Sequence, residues 1–119
     1  MKGVIIGIGL IGGSFARDLK KVHPGITLLG MDQNAGHLQR AIELGLLDGK
    51  AEWEDLKTAD LVLVSIPVNS LAVELPRILN HAGEETLVFD AGSTKVEICQ
   101  SVSDHPNRRN FLACHPIAG

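Results

Sequence analysis

The segment Gly7-Ile8-Gly9-Leu10-Ile11-Gly12 constrains the fold of this chain more than any other. It ends a short apolar, β-branched run, which predicts a strand over residues 4–8, and opens a stretch in which Phe15, Leu19 and Val22 recur at helical spacing. A continuous apolar run of this kind belongs to a strand covered on both faces, the central strand of a parallel sheet. Each glycine then has a mechanical task. Gly7 permits a tight turn, Gly9 lets a pyrophosphate approach the backbone, and Gly12 lets helix pack on strand, with the helix N-terminus facing the phosphates. Glycine-rich turns also arise by chance and in flavin and methyl-donor proteins, so it is the strand before and the helix after that give the motif its weight.

Apolar runs and helical periodicity alternate along the rest of the chain. The first helix, residues 11–22, carries Lys20, Lys21 and His23 at its end, where positive charge meets the C-terminal dipole, and Pro24-Gly25 stops it. A strand at 26–31 leads to a helix capped by Asn34, with Leu38, Ala41 and Ile42 inward and Gly45 at its end. Residues 46–58 show no clear pattern. Beyond them come a strand at 61–66, a helix at 69–82 that Pro76 kinks or divides, a strand at 86–90, a helix at 95–102 and a strand at 111–114. With one strand placed in the ill-defined segment, the expectation is an α/β fold: a Rossmann-like, doubly wound, mainly parallel six-stranded sheet in a single domain over residues 1–119. The strand order 3-2-1-4-5-6 leads, and the flavodoxin-like order competes with it. The chain is too short for two independent cores and has no linker.

Charge and composition narrow the partners. A net charge of −3 and only four aromatics, Phe15, Trp53, Phe89 and Phe111, give neither a basic groove nor a stacking platform for nucleic acid. No apolar run approaches the roughly 20 residues of a membrane span. Small molecules are the expected partners. Cys99 and Cys114 lack C-x-x-C spacing and read as small buried thiols in a reducing, cytoplasmic compartment. His23, His37, His81 and His105 lie near helix ends or in loops without metal-ligand spacing, and no metal is expected.

In an open α/β sheet ligands sit beyond the carboxyl ends of the strands, which directs attention to particular residues. Asp32 stands 20 residues past Gly12 at the end of the second strand, where a carboxylate accepts hydrogen bonds from the adenosine ribose. This favours NAD over NADP: the carboxylate repels a 2′-phosphate, and Gln33 and Asn34 bring no cation, although Arg40 on the next helix could reach around. Ser65, Ile66 and Pro67 end the fourth strand, and Pro67 either stiffens a turn beside the nicotinamide or simply starts a helix. With Gly7, Gly9, Leu10, Ile11 and Gly12 they complete the expected cofactor-binding set. After the fifth strand, Thr94 and Glu97 can form a capping box that leaves the Ser93 hydroxyl free in the loop; if Ser93 caps instead, that freedom is lost. Lys95 reads equally as a ligand contact or a solvated first-turn residue. His115 follows the last strand as a proton acceptor, and a Cys114–His115 dyad is disfavoured because successive strand side chains point to opposite faces.

Taken together, Gly7-Ile8-Gly9-Leu10-Ile11-Gly12-Gly13-Ser14, the segment 60–68, Asp90-Ala91-Gly92-Ser93-Thr94-Lys95 and His115-Pro116-Ile117-Ala118-Gly119 resemble the prephenate and arogenate dehydrogenases of tyrosine biosynthesis, in order along the whole chain. The resemblance implies oxidative decarboxylation of prephenate to 4-hydroxyphenylpyruvate with NAD. His115 then matches the catalytic histidine that accepts a hydrogen bond or proton from the ring hydroxyl, and Ser93 the serine that helps position it. It also implies a following helical domain, absent from these 119 residues, that supplies dimerisation and most contacts to the substrate carboxylates. On that expectation the chain alone binds NAD and turns over little. Another NAD-dependent reductase and a non-catalytic nucleotide sensor are the competing readings.

Overall fold

The computed structural model describes residues 1–90, 105–106 and 111–112. The first strand, β1 (Lys2–Ile6), begins and ends two residues earlier than its apolar run suggested, because the backbone at Gly7 takes a positive φ of 90° and turns out of the sheet. Next come α1 (Leu10–Val22), β2 (Thr27–Met31), α2 (Ala35–Glu43), β3 (Gly49–Lys50), α3 (Asp55–Thr58), β4 (Leu61–Val64), α4 (Val68–His81), β5 (Leu87–Asp90) and β6 (Phe111–Leu112). The strands pair in parallel in the order β3-β2-β1-β4-β5-β6, which is the leading topology expected from the sequence. The expected helix at 95–102 and the end of the strand at 111–114 lie outside the described residues.

Alternation along the strands divides the core in two. Val4 and Ile6 of β1 and Val62 and Val64 of β4 join Leu71, Leu75, Ile78 and Leu79 of α4 on one face. Ile5 and Leu63 point the other way, into a cluster with Ala16 of α1 and Leu38 and Ala41 of α2. Both faces are therefore covered, as the unbroken apolar runs require. Across the second face Phe15 meets Phe89 edge to face, with ring centroids 5.4 Å apart, joining α1 to β5.

Pro76 does not divide α4, contrary to one of the two outcomes expected of it. Proline inside a helix costs about 3 kcal/mol through its missing N–H and its ring. Here Leu71, Leu75, Ile78 and Leu79, all completely buried, flank it in one helical stripe. Burying four such side chains, each contributing roughly 1.5–3 kcal/mol, outweighs that cost.

The ill-defined segment 46–58 holds the two-residue edge strand β3 and the single turn α3. What fixes β3 is polar: Asp48 N donates to Leu28 O at 2.7 Å, the Asp48 carboxylate accepts from Leu28 N at 2.7 Å, and Lys20 Nζ of α1 reaches the same carboxylate at 2.9 Å. Asp55, at the start of α3, accepts from Glu52 N and from Lys2 Nζ of β1. Between α3 and β5 the buried Thr86 hydroxyl donates to Ala59 O at 2.7 Å and accepts from Gly83 N.

These bonds carry a pH dependence. The Lys20 ammonium, followed by the Leu28 amide, holds the Asp48 carboxyl below its ordinary value of 3.8, and the Glu52 amide followed by Lys2 does the same for Asp55. Both groups bind protons more weakly in the folded chain than in the unfolded one, so their contribution is complete above 3.8 and is lost as pH falls through the lower folded-state values. Thermal unfolding followed by circular dichroism is expected to show the midpoint dropping between pH 5 and pH 2 by less in Asp48→Asn than in the parent, with the variant already less stable at pH 7.

Candidate functional site

The strand ends determine what the site is made of. Register places Met31, Ile6, Val64 and Asp90 side by side, so the sheet ends in one row across four strands. One residue further on stand Asp32, Gly7 and Ser65. They are tied together: Gly7 N donates to Met31 O at 2.8 Å and Ser65 N donates to Ile6 O at 2.7 Å. Beyond this row opens a cavity of about 520 Å³. Gly7, Gly9, Asp32, Ser65, Ile66 and Pro67 line it, so six residues singled out in the sequence meet at one place.

The three glycines separate by what a side chain would strike. A Cβ on Gly7 would collide with the carbonyl oxygen of Ser65, and the positive φ disfavours any L side chain there. A Cβ on Gly12 would collide with the carbonyl oxygen of Gly7, so close packing of α1 on the turn demands glycine. A Cβ on Gly9 would meet no atom within 4 Å. Packing within the described residues does not demand glycine at position 9, which lines both the cavity and a neighbouring groove between α1 and α2. Gly9 is also the N-cap of α1, with no side-chain cap and no acidic residue in the first turn, so the first-turn amides are left for an outside acceptor. Leu10 is 92% exposed and Ile11 48%; unlike Gly9, neither side chain lines the cavity, and Leu10 stands on the neighbouring groove between α1 and α2.

Asp32 has more partners than sequence reasoning gave it. Its Oδ2 accepts from Ile8 N at 2.8 Å and its Oδ1 from Asn34 N at 2.8 Å. The carboxylate thus braces the glycine turn and closes an Asx turn leading into α2, where Asn34 caps by accepting from His37 N. Each carboxylate oxygen keeps a second lone-pair direction for a ligand hydroxyl. His37 Nδ1 lies 4.0 Å from Oδ2. Arg40 does not line this cavity. It stands with Arg17 on a neighbouring groove between α1 and α2.

Sequence reasoning missed the far end of the cavity, formed by Trp53 and by Ser70, Glu74 and Arg77 of α4. Their spacing of four and three residues along α4 is the only signal that could have grouped them, and Trp53 lies in the segment that had no readable pattern. Among the expected surface histidines, His23, His37 and His81 are exposed, while His105 is half-buried with Nε2 2.6 Å from Asn80 Oδ1. Among the described residues no group of three His, Cys, Asp or Glu is placed to hold a metal, and no helix is long and apolar enough to cross a membrane. Ser93, Thr94, Lys95, Glu97, Cys99, Cys114 and His115 lie outside the described residues.

Comparison with known proteins agrees with this geometry. Residues 15–119 match the family described as prephenate dehydrogenase, nucleotide-binding domain. Prephenate dehydrogenase of Bacillus subtilis is 37% identical over 126 residues, which take in 100% of this chain and 34% of that protein. A crystal structure of Synechocystis arogenate dehydrogenase superposes with a TM-score of 0.80 at 28% identity, covering 100% of this chain and 42% of its own. That of prephenate dehydrogenase from A. aeolicus in complex with hydroxyphenyl propionate and NAD+ gives 0.74 at 27% identity, covering 100% and 42%. The chain spans about a third of the length of the curated relative from Bacillus subtilis. A sheet that ends in a glycine turn, a braced carboxylate and a cavity between them is what a nucleotide-binding domain presents, and the chain belongs to the prephenate dehydrogenase family through that domain.

Proposed function

We propose that the cavity binds NAD and that the chain is the dinucleotide-binding part of a prephenate dehydrogenase, which converts prephenate to 4-hydroxyphenylpyruvate in tyrosine biosynthesis. The observation that carries the reading is the open space at Gly9: a Cβ there would meet no atom within 4 Å, so packing within the described residues does not demand glycine, which supports a role in letting a ligand approach the backbone. The amides of Gly9, Leu10 and Ile11 take the diphosphate, aided by the helix dipole. Asp32 takes the ribose hydroxyls on its remaining lone pairs. Since Gln33 and Asn34 carry no charge and Arg40 faces another groove, a 2′-phosphate would meet a carboxylate with no cation of this strand end to offset it, which favours NAD over NADP.

When bound, the nicotinamide supplies a hydride acceptor. The residues proposed for the remaining chemistry come from the family resemblance. As the carbinol carbon of the substrate becomes a carbonyl, the neutral imidazole of His115 accepts the hydroxyl proton, and Ser93 helps to position that contact. Loss of carbon dioxide then returns an electron pair to the ring and makes it aromatic. Contacts to the substrate carboxylates and dimerisation are assigned to a helical domain in the longer relatives. A cytoplasmic, homodimeric parent enzyme completes the proposal, with arogenate as the alternative substrate.

Binding is tested on the 119-residue chain. Calorimetric titration with NAD is expected to show saturable binding, accompanied by quenching of Trp53, the single tryptophan and a residue of the cavity wall. Gly9→Ala is expected to stay within about 1 kcal/mol of parental stability, an N-cap effect, while losing at least about tenfold in NAD affinity. Gly12→Ala is expected to lose about 2 kcal/mol or more of stability through the forced backbone contact. An unaltered NAD affinity in Gly9→Ala would remove the main support for this site.

Catalysis is tested in a complete enzyme carrying this domain. With prephenate and NAD, His115→Asn is expected to lower turnover by roughly a hundred- to ten-thousandfold with little change in NAD affinity. Parallel assays with arogenate decide the substrate. Unchanged turnover in His115→Asn would reject the role given to that residue.

A further inference from the structure

The cavity does not end at Asp32. Its wall also holds Trp53, Glu74 and Arg77, a cluster that neither the glycine motif nor the ribose carboxylate accounts for. Arg77 of α4 lays its guanidinium over the indole of Trp53, with Cζ 4.3 Å from the ring centroid. Its Nη1 stands 3.8 Å from Glu74 Oε2, one turn back on the same helix. His81 also meets the indole, tilted, with ring centroids 4.9 Å apart, and its Nδ1 lies 2.9 Å from the Arg77 carbonyl oxygen. A guanidinium held between a ring and a carboxylate has lost much of the rotamer freedom that an exposed arginine keeps, so hydrogen bonds formed by it lose less entropy on binding. The Glu74 side chain is 35% exposed and the Arg77 side chain 58%, so both keep an open side, and both line the same cavity as Asp32.

We infer that Glu74 and Arg77 read the outer edge of the base in the bound dinucleotide and select adenine. This rests on the reading of the cavity as a dinucleotide site. With the diphosphate at Gly9 and the ribose at Asp32, Trp53, Glu74 and Arg77 belong to the part of the same cavity that remains for the base. Adenine presents at that edge a donor, the exocyclic amine, beside an acceptor, N1. Glu74 supplies an acceptor and Arg77 a row of donors, the complementary pattern. Hypoxanthine has the same shape with both roles reversed, a carbonyl in place of the amine and N1–H in place of the bare nitrogen. Its carbonyl would face the Glu74 carboxylate and its N1–H the guanidinium, two mismatches at charged groups. Trp53 acts here as a positioning residue, fixing Arg77 from below.

The test compares NAD with nicotinamide hypoxanthine dinucleotide, which differ only at this edge, by calorimetric titration of the chain and its variants. The parent is expected to bind NAD about tenfold more tightly, a partly exposed site giving less than the full discrimination of a closed one. In Glu74→Gln the amide can turn either its oxygen or its nitrogen to the base, and the ratio is expected to fall to within about twofold. Arg77→Met keeps an apolar stem on the indole but loses the donors, and is expected to narrow the ratio chiefly by weakening NAD. Both side chains are partly exposed on α4, and retained circular dichroism would verify that the variants fold. Equal affinity of the parent for the two dinucleotides, or an unchanged ratio in both variants, would overturn the inference while leaving the dinucleotide site intact. Failure of both dinucleotides to bind the parent would overturn it together with the reading beneath it.

Discussion

The structure depends on one crossing of backbone at the end of the central strand. At Gly7 the chain leaves the sheet with φ of 90°, donates to Met31 O on one side, and passes so close to Ser65 O on the other that no Cβ fits between them. The same residue's carbonyl fills the place where a side chain on Gly12 would stand. A single residue thus fixes the ends of β2 and β4 relative to β1 and the depth at which α1 seats on the sheet. The position of every other group in the cavity follows: Asp32 and Ser65 project from strand ends in register with Ile6, and the N-terminus of α1 comes to rest above them.

The fold was legible wherever burial is two-sided. Val4, Ile5 and Ile6, and Val62 to Val64, are apolar at every position because helices cover both faces, and such runs separated by helical periodicity leave few topologies to choose from. The glycine spacing and Asp32 were readable for a related reason, since each is dictated by backbone geometry or by a ligand rather than by packing that several residues could supply. What could not be read was held by long-range polar bonds. β3 exists because Asp48 grips both backbone groups of Leu28, twenty residues away, and a lone aspartate after two leucines gives no sign of that. Pro76 left two outcomes open for the opposite reason: its local cost is plain in the sequence, whereas the buried stripe that keeps α4 in one piece is visible only once α4 meets the sheet.

In the site the legible half is the one around the glycine turn and Asp32, where geometry admits few residue types. The rest of the cavity wall includes Trp53 and positions on α4, and a stacked arginine can be assembled from many sequences. The division of the glycines also shows how motif and structure inform each other. The pattern names three residues as equals, while the surroundings show that Gly7 and Gly12 are demanded by the packing of the fold and that Gly9 is not.

The Asp32 carboxylate accepts from the Ile8 amide inside the glycine turn. On the proposed function, recognition of the sugar and rigidity of the phosphate cradle are therefore vested in one side chain. An engineer wishing to retarget this domain to a phosphorylated cofactor cannot simply neutralise the acid, because the orphaned amide would slacken the loop for every dinucleotide alike. Such a redesign needs a replacement acceptor for Ile8 before it needs a new cation, and drift between cofactors in this lineage would face the same order of events.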